Sequence, residues 1–178
     1  QKFYRVNGGA TQLRGVTPDI VFPDRYDYLK YKEKDNPSAL KWDEIPQAAY
    51  QKTNNQFDQI ISTASGEINL DPAFSGIKKQ VQLLDQMSTK ERSLSYTKYK
   101  EEQKQFNDAI KKMEELYKLQ NPISIRNLNT DSQEVNSTPE KTDRNKQWLK
   151  LRSSDIFLEE STKIMDKMIA DKNMAKRS

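Results

Sequence analysis

The chain has 178 residues, of which 34% are apolar and 31% charged, with 30 Lys or Arg against 26 Asp or Glu. At a mean hydropathy of −1.01, it is too poor in apolar side chains for a thick sheet sandwich or a large closed barrel; long helices with one apolar stripe fit better. It contains no Cys and no His, which removes disulfides, thiolate nucleophiles, zinc–thiolate sites, imidazole bases and most transition-metal sites, and no run of 18 apolar residues that could span a bilayer.

Residues 1–23 read as β-structure. Phe3-Tyr4-Arg5-Val6 is a run of strand formers, and Asn7-Gly8 is a two-residue turn signal because both centres of a type I′ turn need positive φ. Thr11-Gln12-Leu13 would be the return strand. Ile20-Val21-Phe22, between Pro18 and Pro23, reads as a strand covered on both faces. A hairpin plus one strand is not independently stable, and the chain lacks an initial Met and a signal peptide. We therefore expect a piece of a longer polypeptide whose missing sheet partners lie elsewhere. Residues 24–46 form a connector: Tyr26, Tyr28, Leu29 and Tyr31 are set to lie on another surface, and Asp35-Asn36-Pro37-Ser38 is turn chemistry.

From residue 47 onward the pattern is helical. Phe57, Ile60, Ile61 and Ala64 share a face of a helix that Gly66 is expected to end. Asp71-Pro72 places a capping carboxylate before a proline at the first helical position, and Ile77, Val81 and Leu84 follow at helical spacing. Ser95 opens the longest segment, with Tyr99, Phe106, Ile110, Met113 and Tyr117 as its stripe and Asn121-Pro122 as its stop. About 24 residues at 1.5 Å each make a rod roughly 36 Å long. Asn127–Lys141 is rich in Asn, Ser and Thr and reads as a mobile loop. The last helix is expected near Asp155, burying Phe157, Ser161, Ile164, Met165 and Met168.

Little here points to chemistry. Glu101-Glu102 and Glu114-Glu115 are adjacent on a helix and do not face one another. Each Lys sits in polar context, so none is marked as the neutral partner of a Ser–Lys pair. Asn7-Gly8-Gly9 is followed by neither Lys-Ser/Thr nor a helix start and is not a phosphate loop. Asp19 is read as a carboxylate bonding turn amides, and Trp42-Asp43 as an aromatic anchor beside a capping carboxylate. The six Lys from Lys98 to Lys118 are balanced by five acids. The basic excess lies in Lys141, Arg144, Lys146, Lys150 and Arg152 and in the tail Lys172, Lys176 and Arg177. We read these as a solvated linker and a frayed terminus, the alternative being a docking patch for an acidic partner or nucleic acid.

Phe3 through Gln12 and Gly15-Val16-Thr17-Pro18-Asp19-Ile20 resemble the end of the protease core of tail-specific proteases, the long members of the C-terminal processing peptidase family of serine peptidases. Ala39-Leu40-Lys41-Trp42-Asp43-Glu44-Ile45, Ser93-Leu94-Ser95 and Ser154-Asp155-Ile156-Phe157-Leu158-Glu159-Glu160 resemble further segments of that family. Lys41, Ala10, Ser95 and Ile156 depart from its pattern, and the 127–141 loop matches nothing in it.

The resemblance implies a mainly α fold: a helical C-terminal domain with a small N-terminal β-hairpin and strand left from the protease core. Its parts would be 1–23 from that core, 24–46 as connector and 47–178 as the helical domain. Gly15, Pro18, Asp19, Trp42 and Asp43 would be structural motif residues. The catalytic Ser and Lys and a PDZ domain would precede Gln1, so no catalytic residue is carried onto this chain. The parent would cleave proteins with apolar C-termini in a bacterial periplasm, without metal, cofactor, nucleic acid or membrane span. The alternative class is a stand-alone helical adaptor.

Overall fold

The computed structural model describes residues 1–50 and 57–171. The basic tail Lys172, Lys176 and Arg177, and residues 51–56 of the expected helical region, lie outside them. Among the described residues the fold is six α-helices and a short 3-10 turn, Glu33–Asp35, with no sheet. Two compact units, Gln1–Phe106 and Asn107–Ser178, divide the chain.

In the first unit, α1 (Asp58–Leu70) and α2 (Pro72–Thr89) pack on each other. Gly66 does not stop α1. An added Cβ there would meet nothing within 4 Å, and Ile68, buried two residues further on, draws the helix onward. A glycine inside a helix costs only about 1 kcal/mol, less than Ile68 gains by burial. The stop comes from Asp71-Pro72, because a residue before proline is pushed out of the α region. Asp71 is extended (φ −60°, ψ 130°), and its Oδ1 accepts from the amides of Ala73 (2.8 Å) and Phe74 (3.1 Å). Ala64, Ile68, Phe74, Ile77 and Leu84 are the buried positions of the pair.

Ile20–Phe22 is not a strand. The prolines on either side remove amide donors, Val21 stays 64% exposed, and Phe22 instead lays its ring on Phe74, centroids 5.3 Å apart. Of the connector's aromatics, Tyr28 meets the edge of Phe106 at 6.5 Å, while Tyr26 and Tyr31 are exposed.

The helix α3 (Tyr96–Leu116) starts directly after Ser95, whose carbonyl accepts from Tyr99 N (2.9 Å). At 21 residues it ends five residues before Asn121-Pro122. In the second unit Ala109, Met113, Ile156 and Ile164 are buried, and Tyr117 packs against Phe157 with centroids 5.1 Å apart. The chain leaving α3 is tied to the turn before the last helix by Leu119 N to Ser154 O (2.9 Å) and Ile123 N to Ser153 O (2.8 Å).

The expected 127–141 loop contains α4 (Ser132–Val135), and α5 (Pro139–Ser153) begins within it. Thr138 caps α5 by accepting from Lys141 N (3.3 Å), with Pro139 at the first position. Asn127 and Asn145 exchange two amide hydrogen bonds (3.0 and 2.9 Å), which fasten α5 to the segment before α4. The last helix, α6 (Ile156–Ala170), begins as expected, with Asp155 Oδ1 accepting from Phe157 N (3.0 Å) and Leu158 N (3.2 Å). Met165 does not face inward and is 60% exposed.

Candidate docking site at the N-terminal motif

The turn after Phe3–Val6 differs from the expected type. Gly8 N donates to Arg5 O (2.8 Å) and Arg5 N to Gly9 O (3.0 Å). Positive φ is confined to Gly8 (+87°) in this turn; Asn7 does not share it. This is the three-residue hairpin loop with one left-handed residue rather than the two-residue type I′ loop. Asn7 Oδ1 accepts from Gly9 N (3.1 Å) instead, which holds the turn from outside. Only isolated bridges form, Tyr4 with Ala10 and Gly9 with Glu44.

Thr11–Leu13 does not continue as a strand. Arg14 N donates back to Gln12 O (2.7 Å) across Leu13, which sits at φ +63°, and Gly15 N donates to Thr11 O (2.8 Å). A three-residue turn around a left-handed side chain is a strained conformation. Glu33 supports it, its Oε2 accepting from Leu13 N (3.0 Å).

The hairpin's partner in the described chain is residues 43–48. Ala10 N donates to Asp43 O (3.0 Å), Ile45 N to Gly8 O (2.9 Å) and Ala48 N to Val6 O (3.0 Å). Gly8 is the point of closest approach, since a Cβ built on it would stand 2.1 Å from Ile45 O. Trp42 anchors the contact by donating Nε1–H to Ala10 O (2.9 Å), and the Arg14 guanidinium stacks over its ring at 4.2 Å. Asp43 caps no helix. Its carboxylate accepts from Lys2 Nζ (2.8 Å) and from Tyr4 Oη (3.2 Å). The Lys2 hydrogen bond lowers the Asp43 pKa; slight desolvation, then the Asp43 bond, raise that of Tyr4.

Three of the five motif residues, Gly15, Asp19 and Trp42, line one open cleft of about 880 Å³ with Arg5, Arg14 and Tyr50. Gly15 needs glycine for its φ of +63° and not for space. Pro18 and Asp19 are exposed. Among the described residues the Asp19 carboxylate accepts no turn amide, unlike the expectation; it faces the cleft instead. Asp43 sits on the hairpin side, paired with Lys2. The hairpin and its partner segment carry exposed apolar side chains: Phe3 (63%), Val6 (55%) and Ile45 (48%). The geometry suits a surface that docks on protein. Among the described residues no three Asp or Glu converge as a metal site, and no helix is long and apolar enough to cross a membrane.

A bridge-only hairpin held by Trp42 and Asp43, followed by helices of which three start from side-chain caps, makes the described chain a mainly helical domain. Residues 26–170 match the family described as the C-terminal domain of tail specific protease, and the chain belongs to that family. It is 33% identical over 137 residues to the tail-specific protease of Haemophilus influenzae, an alignment covering 72% of this chain and 20% of the relative. The chain thus spans about a fifth of that relative's length.

Sequence reasoning missed the partnership of residues 43–48 with the hairpin and, apart from this region, the α5 helix of the second unit. The first depends on contacts some forty residues apart and has no local signal. The second had one, since Thr138-Pro139 is the same cap-then-proline start as Asp71-Pro72.

Proposed function

We propose that this domain is the structural support of a periplasmic serine protease that degrades proteins with apolar C-termini by Ser–Lys nucleophilic attack, packing on the upstream protease core and PDZ domain and shaping substrate access. The observation that carries the reading is the family membership of residues 26–170. The exposed apolar side chains Phe3, Val6 and Ile45 on the hairpin and its partner segment support it, because such residues fit burial against another protein surface. We assign residues 1–23 to the end of the protease core, 24–46 to a connector and 47–178 to the helical domain. Gly15, Pro18, Asp19, Trp42 and Asp43 act as the structural joint between the first two.

The test is cleavage of an unfolded reporter ending in apolar residues, set beside the same reporter ending in Asp. The full-length protein should cleave the first faster, and Trp42→Ala should lower that cleavage without changing which reporter is preferred. The 178-residue chain alone should hydrolyse neither. Inhibitor-sensitive cleavage by the chain alone, or a Trp42→Ala protein with unchanged activity, would contradict the reading.

A further inference from the structure

The cleft beside Trp42 holds charges that the joint does not use. Arg5 and Arg14 both line it, together with Val6, Tyr50 and Asp19. Among the described residues no carboxylate lies within 4 Å of either guanidinium. Asp19 shares the cleft but has no cation within 4 Å, so it neutralises neither arginine. Two cations against one carboxylate leave the cleft positive.

Arg14 is held in place by its surroundings. Its guanidinium lies 4.2 Å over the Trp42 ring, and Trp42 is itself fixed by its bond to Ala10 O (2.9 Å). The residue before it, Leu13, is in the left-handed region (φ +63°), where a bulky side chain is strained and stays only if its neighbours enforce it. Glu33 does so by accepting from Leu13 N (3.0 Å). A guanidinium stacked on its face keeps its edge N–H groups for a carboxylate.

We propose that this cleft binds an acidic polypeptide segment, with Arg14 and Arg5 meeting its carboxylates and Val6 and Tyr50 its carbon chain. The surplus of positive charge selects the sign of the ligand. At about 880 Å³ the cleft has room for several residues rather than for one small carboxylate, and Val6 (55%) and Tyr50 (40%) are open to contact. Nucleic acid fits poorly, because its binding grows with the number of phosphates neutralised, and here two cations share the space with Asp19.

The probe is a fluorescein-labelled Gly-Glu repeat peptide, amidated so that no free C-terminus takes part, read by anisotropy against the full-length protein. The matching Gly-Gln peptide and single-stranded DNA serve as comparisons. Expected is saturable binding of the Glu peptide that weakens with salt. It should fall about tenfold in Arg5→Gln/Arg14→Gln, which is what two exposed ion pairs supply together. Arg5→Lys/Arg14→Lys keeps the charge without the fork and should lie between. Asp19→Asn removes the repelling carboxylate and should tighten binding about twofold. If the Gln double variant melts at a lower temperature, Asp19→Asn decides, since unfolding does not tighten binding. Absent binding, equal binding of the Gly-Gln peptide, an unchanged Gln double variant, Asp19→Asn without a gain, or tighter capture of DNA would each overturn the proposal. The readout is binding alone and is independent of whether the protein cleaves the reporter.

Discussion

The first fifty residues and the helices α2 and α6 are ordered by opposite means. Each of these helices starts from a carboxylate that reaches two and three residues ahead, Asp71 for α2 and Asp155 for α6. The N-terminal segment is held by bonds that reach across the chain: Lys2 to Asp43, Tyr4 to Asp43 and Trp42 to Ala10. Local bonds cost little loop-closure entropy, whereas distant ones order a long intervening chain first. The helices are thus expected to tolerate single polar changes, and the N-terminal clamp to open as a unit.

The sharpest way to separate the two is to damage each in turn. Ile77→Ala removes a fully buried side chain from α2 and should destabilise by about 2–5 kcal/mol; the fall should be read as lost amide-exchange protection in α1 and α2, with the Ala10 and Ile45 amides less affected. Gly8→Ala is expected next, at about 1–3 kcal/mol, because the new Cβ meets the Ile45 carbonyl and a non-glycine residue is strained at φ +87°. Its signature is exchange at Ala10, Ile45 and Ala48 together, with α1 and α2 protected. Scattered loss at one amide only would show that the clamp does not open as a unit.

The smallest effect is that of pH on the clamp. Asp43 has a folded pKa below its ordinary 3.8, so its contribution is full above that value and fades as pH falls through the lower folded one. Tyr4 has a folded pKa above its ordinary 10.0, so its contribution is full below that value and is lost as pH rises through the folded one. Protection of the Ala10 amide should therefore be flat between those limits and decline slightly outside them. In Asp43→Asn the acid-side decline should disappear.

The same contrast explains what could be read from residue order alone. Helix starts at Asp71 and Asp155 were legible because a capping carboxylate and its amides lie within one turn, and the start after Ser95 was legible from the apolar stripe that follows it. The stop expected at Gly66 was wrong because Ile68, two residues on, is buried by tertiary packing that local spacing does not reveal. α5 escaped because it has no apolar stripe, though its Thr138-Pro139 start was in view. At the motif, Trp42 was recognisable as an anchor, but Asp43, expected to cap, caps no helix and pairs with Lys2 and Tyr4 instead. Their partners Ala10, Lys2 and Tyr4 were not recognisable, since β-strand propensity in Phe3–Val6 and Thr11–Leu13 suggested a longer ladder than the turn around Leu13 permits.

The reciprocal bonds between Asn127 and Asn145 have a consequence for how α5 behaves in different surroundings. Carboxamides neither gain nor lose a proton between acid and alkali and carry no net charge for dissolved ions to shield. The fastening of α5 should therefore keep its strength in brine or at low pH, conditions that weaken the ion pairs Lys141 makes with Glu134 and Lys146 with Asp143. A rod so fastened holds its surface chemistry in a fixed orientation while its own electrostatics are tuned by the medium.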